Sequence, residues 1–190
     1  MSLVVLAVVA AVGVGYGRGG RLSNLAHARL TRSWLVAAAV VAQGLLALLS
    51  AGGAGMAGSL LLVASYGALL AFVWSNRFLP GMVLVFLGFG LNAVVIAVNG
   101  AMPVSRAALL AVGADPGELP PGKHRLLGPD DPLRPLADVL PVPLLHTVVS
   151  VGDLILAAGV AVLVANLMLA RPPPPGRRAR TDTGSPGRPG

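Results

Sequence analysis

Five polar side chains stand out because they lie within or at the edge of uncharged, strongly apolar runs: Asn92, Asn99, His146, Ser150 and Asp153. A polar group in such a run is costly unless it meets a partner or water, so these residues are the candidates for binding chemistry. Asn92 and Asn99 fall in line with Gly81 and Gly88, at spacings of seven, four and seven. At about 100° per residue, all four lie within roughly 40° of one helix face, with the glycines suited to helix packing. His146, Ser150, Asp153 and Ala157, spaced four, three and four, occupy about 60° of a second face. Asp153 has two readings. A carboxylate several residues into an apolar segment must pair or take up a proton. If the helix begins near Ser150, Asp153 instead lies in its first turn, where free amides and the helix dipole favour negative charge. His146 is either a ligand or proton carrier, or an interfacial histidine that is simply solvated. Gln43, with Ala39 and Ala47 one turn away on either side, suits a hydrogen bond at a helix-packing contact.

Other chemistries have no residues to support them. The chain has no cysteine, which excludes disulfides, thiolate metal sites and cysteine nucleophiles. No HExxH, phosphate-binding glycine loop or GxSxG motif occurs, so no metal, cofactor or catalytic residue is assigned. An enzyme is the less favoured class.

The elements that must position these residues follow from composition. Of 190 residues, 55% are hydrophobic and 11% charged, with mean hydropathy +0.81, against about 25% charged in soluble domains. Residues 2–16, 34–50, 59–74 and 79–98 contain no Asp, Glu, Lys or Arg, and residues 148–170 contain only Asp153. Each run is long enough as helix to approach or exceed the roughly 30 Å of hydrocarbon, the first being the shortest. No ten-residue alternation of a β-barrel is present. The expected fold is therefore all-α: a membrane helical bundle of about five spans over residues 1–170, with residues 171–190 as a tail. The first run lacks the basic n-region of a signal peptide and is counted as a span.

Charge sets the expected orientation. The segment after the first run carries Arg18, Arg21, Arg29 and Arg32 without an acid, and the turn after the third carries Arg77. The tail carries Arg171, Arg177, Arg178, Arg180 and Arg188 against Asp182. The connection at residues 99–147 holds four bases and five acids. Basic loops remain cytoplasmic, which puts the N-terminus and the 99–147 loop outside and the tail inside. The +7 net charge thus points to anionic lipid head groups at the cytoplasmic face and not to nucleic acid.

Nine of the sixteen prolines lie in the 99–147 loop, which argues against long helix there, although Ser105 can cap a short one ending at Gly113. Loops of this length are either lids and binding segments or linkers. Its apolar stretch from Leu133 to Leu145 is suited to packing on the membrane face. The tail, rich in Pro, Gly and Arg, has the composition of a disordered segment.

The motifs NGAMPVS (residues 99–105), LADVLPVP (136–143) and VSVGD (149–153), with WSNR (74–77) and GLN (90–92), resemble a family of small bacterial multipass membrane proteins catalogued as a domain of unknown function. The likeness covers nearly all but the tail. Where the pattern often has Gly or Arg before Met-Pro, this chain has Ala101. The resemblance implies motif positions at Asn99, Gly100, Met102, Pro103, Gly152 and Asp153, a location in the bacterial cytoplasmic membrane, and no activity.

Three functional readings follow. The first is a non-enzymatic protein binding a lipid, small molecule or protein partner in an outward-facing polar cavity closed by the long loop. The second is a small-molecule or ion transporter working as a homo-oligomer, because five spans form no even inverted repeat. The third is a membrane-embedded enzyme acting on a lipid, with Asp153 or His146 as general acid or base.

Overall fold

The computed structural model of the chain describes residues 3–28, 30–50, 55–119 and 124–170. The tail expected at residues 171–190 lies outside them. Five long helices form: α1 (Leu3–Gly17), α2 (Trp34–Ser50), α3 (Gly55–Ser75), α4 (Met82–Asn99) and, after the loop, a helix at Val151–Leu169. The loop itself contains β1 (Met102–Val104), α5 (Arg106–Ala111), β2 (His124–Leu126), β3 (Leu140–Val142) and β4 (Thr147–Val149), so the last helix is α6. The molecule is mainly helical, but the all-α expectation needs correcting in the loop. Proline restricts φ to values that extended chain also tolerates, so MPV and LPV form short strands where helix is excluded.

Principal contacts run α2 to α3, α3 to α4, α4 to α6 and α6 to α1, so α6 lies between α1 and α4. The α4–α6 seam is made by glycines. A Cβ at Gly88 would collide with the backbone of Gly152 and Leu156, and one at Gly152 with the Asn92 side chain. Gly81 and Gly159 approach each other in the same way. Four glycines at sevenfold spacing thus bring the two backbones together. Beside them, Val73, Met82 and Val85 form a small core with Phe72, Phe86 and Leu156 packed on it.

Two asparagines fasten the end of the bundle where α6 finishes. Asn24 Nδ2 and the Arg21 amide both donate to the Met168 carbonyl, at 2.7 and 2.9 Å, satisfying a helix-end acceptor. Asn76, 4% exposed, accepts from the Thr31 amide at 2.8 Å and donates to the Thr31 carbonyl at 3.0 Å. This joins the α1–α2 linker to the α3–α4 turn. Gln43 is half-buried on α2, one turn from the buried Ala39.

At the opposite end the loop folds over α4 and α6. β1 and β2 pair in parallel, with Met102 opposite His124 and Val104 opposite Leu126. β3 and β4 pair antiparallel, with Leu140 opposite Val149. Ser105 caps α5 by accepting from the Ala108 amide, and Gly113, at φ +75°, follows the helix.

Candidate functional site

Each helix contributes its site residues through a local rule. α6 begins at Ser150 because β4 takes the preceding three residues and the Ser150 hydroxyl accepts from the Asp153 amide at 3.0 Å. Asp153 Oδ2 accepts in return from the Ser150 amide at 3.0 Å, completing a capping box. Its other oxygen, Oδ1, accepts from Asn92 Nδ2 at 2.7 Å. Ser150 Oγ donates to Asn92 Oδ1 at 2.9 Å. The two readings of Asp153 therefore hold together: it caps α6 and also bridges to α4. Asn92 is 8% exposed and Ser150 fully buried, so this triad is an interior polar network whose members satisfy one another.

Above the triad is a cavity of about 130 Å³. Its floor is Asn92 and Asp153, with Ile96 of α4 and Tyr66 of α3 at the sides. Met102, His124 and Asp138 form the roof. Tyr66 stacks on Phe89, with ring centroids 4.8 Å apart. The roof is held by the backbone: the Asp138 amide donates to the Pro103 carbonyl at 3.0 Å, and the Ser105 amide to the Asp138 carbonyl at 2.9 Å.

Asp138 is the unusual member. It is 6% exposed, and its Oδ1 has no hydrogen-bond partner among the described residues. Its Oδ2 lies 4.0 Å from His124 Nε2, too far for a hydrogen bond. Burial, reinforced by the negative charge of Asp153, pushes the Asp138 carboxyl up to about 7. Sequence reasoning did not single out Asp138, His124 or Tyr66. Asp138 interrupts an otherwise continuous apolar run, LADVL, a pattern that marks a charged residue with apolar neighbours on both sides but does not say which way it points.

Two of the five candidates are elsewhere. Asn99, the last residue of α4, is drawn into the loop: its Oδ1 accepts from Arg125 Nη2 at 3.2 Å and its Nδ2 donates to the Pro132 carbonyl at 3.2 Å. Arg125 in turn clasps Asp131 with two bonds of 2.6 and 2.8 Å, holding that carboxylate below its usual range. His146 is exposed at φ +49° after a tight turn and does not line the cavity. Among the motif positions, Gly100 ends α4 at φ +76°, Met102 lines the cavity and Pro103, next to it in β1, is fully buried. No cluster of three metal-ligating His, Asp or Glu side chains occurs among the described residues.

The family of unknown function DUF5317 matches residues 27–165, and the chain belongs to it. This span takes in α2 through nearly all of α6 and every residue of the cavity. No curated protein and no solved structure matches the chain.

Proposed function

We propose that this chain, a member of a family without an assigned activity, is a multipass membrane protein that binds a small polar molecule in the cavity beneath its long loop. The observation that carries the reading is the Asp138 carboxylate, buried against the cavity with one oxygen unpartnered among the described residues. A buried polar atom without a partner typically costs about 1–3 kcal/mol, and a ligand that donates to it removes that cost. The polar groups of the cavity floor, Asn92 and Asp153, are held with Ser150 by hydrogen bonds to one another, as in a preorganised binding site.

Several features support the membrane location. Met82–Asn99 and Val151–Leu169 are long and apolar enough to cross a bilayer, and only 22% of each is buried within the protein. Leu48, Val63 and Trp34 on the other helices are 75%, 66% and 65% exposed, more apolar surface than water tolerates. The charge distribution of the loops favours the cavity on the extracytoplasmic side, with the Arg-rich segments and anionic lipid head groups inside.

The test has two parts. Single cysteines at Ser105, Asp130 and Ser185 are labelled with an impermeant reagent in intact cells. Labelling of the first two alone supports this orientation; the reverse pattern inverts it. Purified protein is then screened against small polar compounds by thermal shift, with Ile96→Trp filling the cavity. Stabilisation that vanishes in the filled variant supports binding at this site, and stabilisation that persists refutes it.

A further inference from the structure

We propose that the ligand of this cavity is a small organic cation, an alkylammonium group, whose N–H donors meet Asp138 and whose carbon chain lies on Ile96, Met102 and Tyr66. The proposal rests on the binding reading above and names its substrate class. Three observations carry it.

The first is the hydrogen-bond inventory. Asp138, more than nine-tenths buried, lines the cavity, and its Oδ1 is an acceptor without a donor among the described residues. Asp153 has a donor on each oxygen, and the Asn92 amide oxygen and nitrogen are both engaged within the triad. What Asp138 Oδ1 lacks among the described residues is a donor, and an ammonium is donor-only.

The second is charge. Two carboxylates and no Lys or Arg are among the described residues that border the cavity, and Arg125, next to His124 in the chain, is committed to Asp131 and Asn99. A phosphate or carboxylate ligand would face both carboxylates at close range, while a cation is attracted by both. The groups facing Asp138 are His124 from β2, Asp153 from α6 and Tyr66 from α3. Charging of His124 opposes cation binding, so acid weakens binding through both His124 and Asp138.

The third is size and lining. A cavity of about 130 Å³ is too roomy for a bare inorganic cation, and the described residues offer no three-carboxylate or histidine cluster to replace its hydration shell. A cavity of roughly 150 Å³ accommodates a benzene-sized molecule, so a short alkyl chain fits here. The ring of Tyr66, braced on Phe89, adds an aromatic surface of the kind that attracts ammonium groups.

The experiment uses full-length protein in detergent and isothermal titration calorimetry with n-butylammonium, 1-pentanol as its neutral counterpart, sodium, and inorganic phosphate. The expected result is saturable binding of n-butylammonium alone. Its affinity falls by about thirtyfold or more from pH 8.5 to 5.5, about thirtyfold being the part due to a carboxyl titrating near 7 that takes up its proton. Asp138→Asn weakens it at least tenfold. Ile96→Trp, which leaves both carboxylates in place, abolishes it and decides the matter should Asp138→Asn fail to fold. His124→Gln retains binding and leaves the Asp138 part of the pH dependence. Binding of phosphate or 1-pentanol that Ile96→Trp abolishes would overturn the cation class while keeping the cavity. Sodium binding equal to n-butylammonium would overturn the organic cation. Silence of all four probes would overturn the proposal and count against the binding reading too.

Discussion

Replacing Asp138 by Asn should make the protein more stable at alkaline pH and slightly less stable, by about 1 kcal/mol, in acid. In the folded chain this carboxyl titrates near 7, against 3.8 in the unfolded chain, because burial and the charge of Asp153 both disfavour the ionised form. The folded state therefore binds the proton more tightly. That contribution to stability is fully present below the unfolded value of 3.8 and is lost as pH rises through about 7. A shift of about 3 units at 1.36 kcal/mol each is roughly 4 kcal/mol, a ceiling that any water reaching Oδ1 would lower. An Asn at this site buries an extra amide donor at a cost of about 1 kcal/mol, leaving a net gain of about 2–3 kcal/mol at pH 8. The assay is equilibrium unfolding in mixed micelles from pH 5 to 8.5 for both proteins. Their difference removes the common contributions of the other titrating groups. The difference should grow by up to about 1.4 kcal/mol per pH unit between 5 and 7, then level off. A flat difference would refute the claim of a desolvated carboxyl. A native protein more stable than Asp138→Asn at pH 7 would show instead that the carboxylate is paired with a charged His124, closer than its 4.0 Å separation implies.

Other perturbations test the parts around it. Gly88→Val places methyls against the backbone of Gly152 and Leu156 and should destabilise the α4–α6 seam by about 1–3 kcal/mol, whereas Gly90→Ala, with open space around it, should change stability little; unfolding midpoints compare them. Asn92→Ala removes the side-chain bond from α4 to Asp153 and the acceptor of the Ser150 hydroxyl, for a loss of about 1–2 kcal/mol in the same assay. Asp131→Asn should loosen the loop without unfolding the bundle, so hydrogen exchange at residues 124–132 should quicken while α4 and α6 stay protected. The native loop should loosen likewise as pH falls through the depressed titration of Asp131, since a lowered carboxyl stabilises only above that point.

Much of the local structure was legible in the sequence, because it depends on neighbours along the chain. Uncharged apolar runs mark the helices, and Ser105 and Ser150 mark helix starts through their own hydroxyls. Helical periodicity puts Gly88 and Asn92 on one stripe and Ser150 and Asp153 on another. Only packing decided that the two stripes face each other, since this needs α4 and α6 to be neighbours at glycine-to-glycine distance. The same limit explains Asn99 and His146. Asn99 lies on the stripe of Asn92, yet Arg125, distant in sequence, draws it into the loop, and His146 is carried away by a positive-φ turn. Asp138 and His124 join the cavity through strand pairings in the loop, a register set by backbone hydrogen bonds to β1 and not by any period in the residues themselves. Sequence alone thus determined which segments are apolar helices and where charge is excluded. Tertiary structure decided which polar groups meet, because burial and an unmatched acceptor are properties of packed elements and not of spacing.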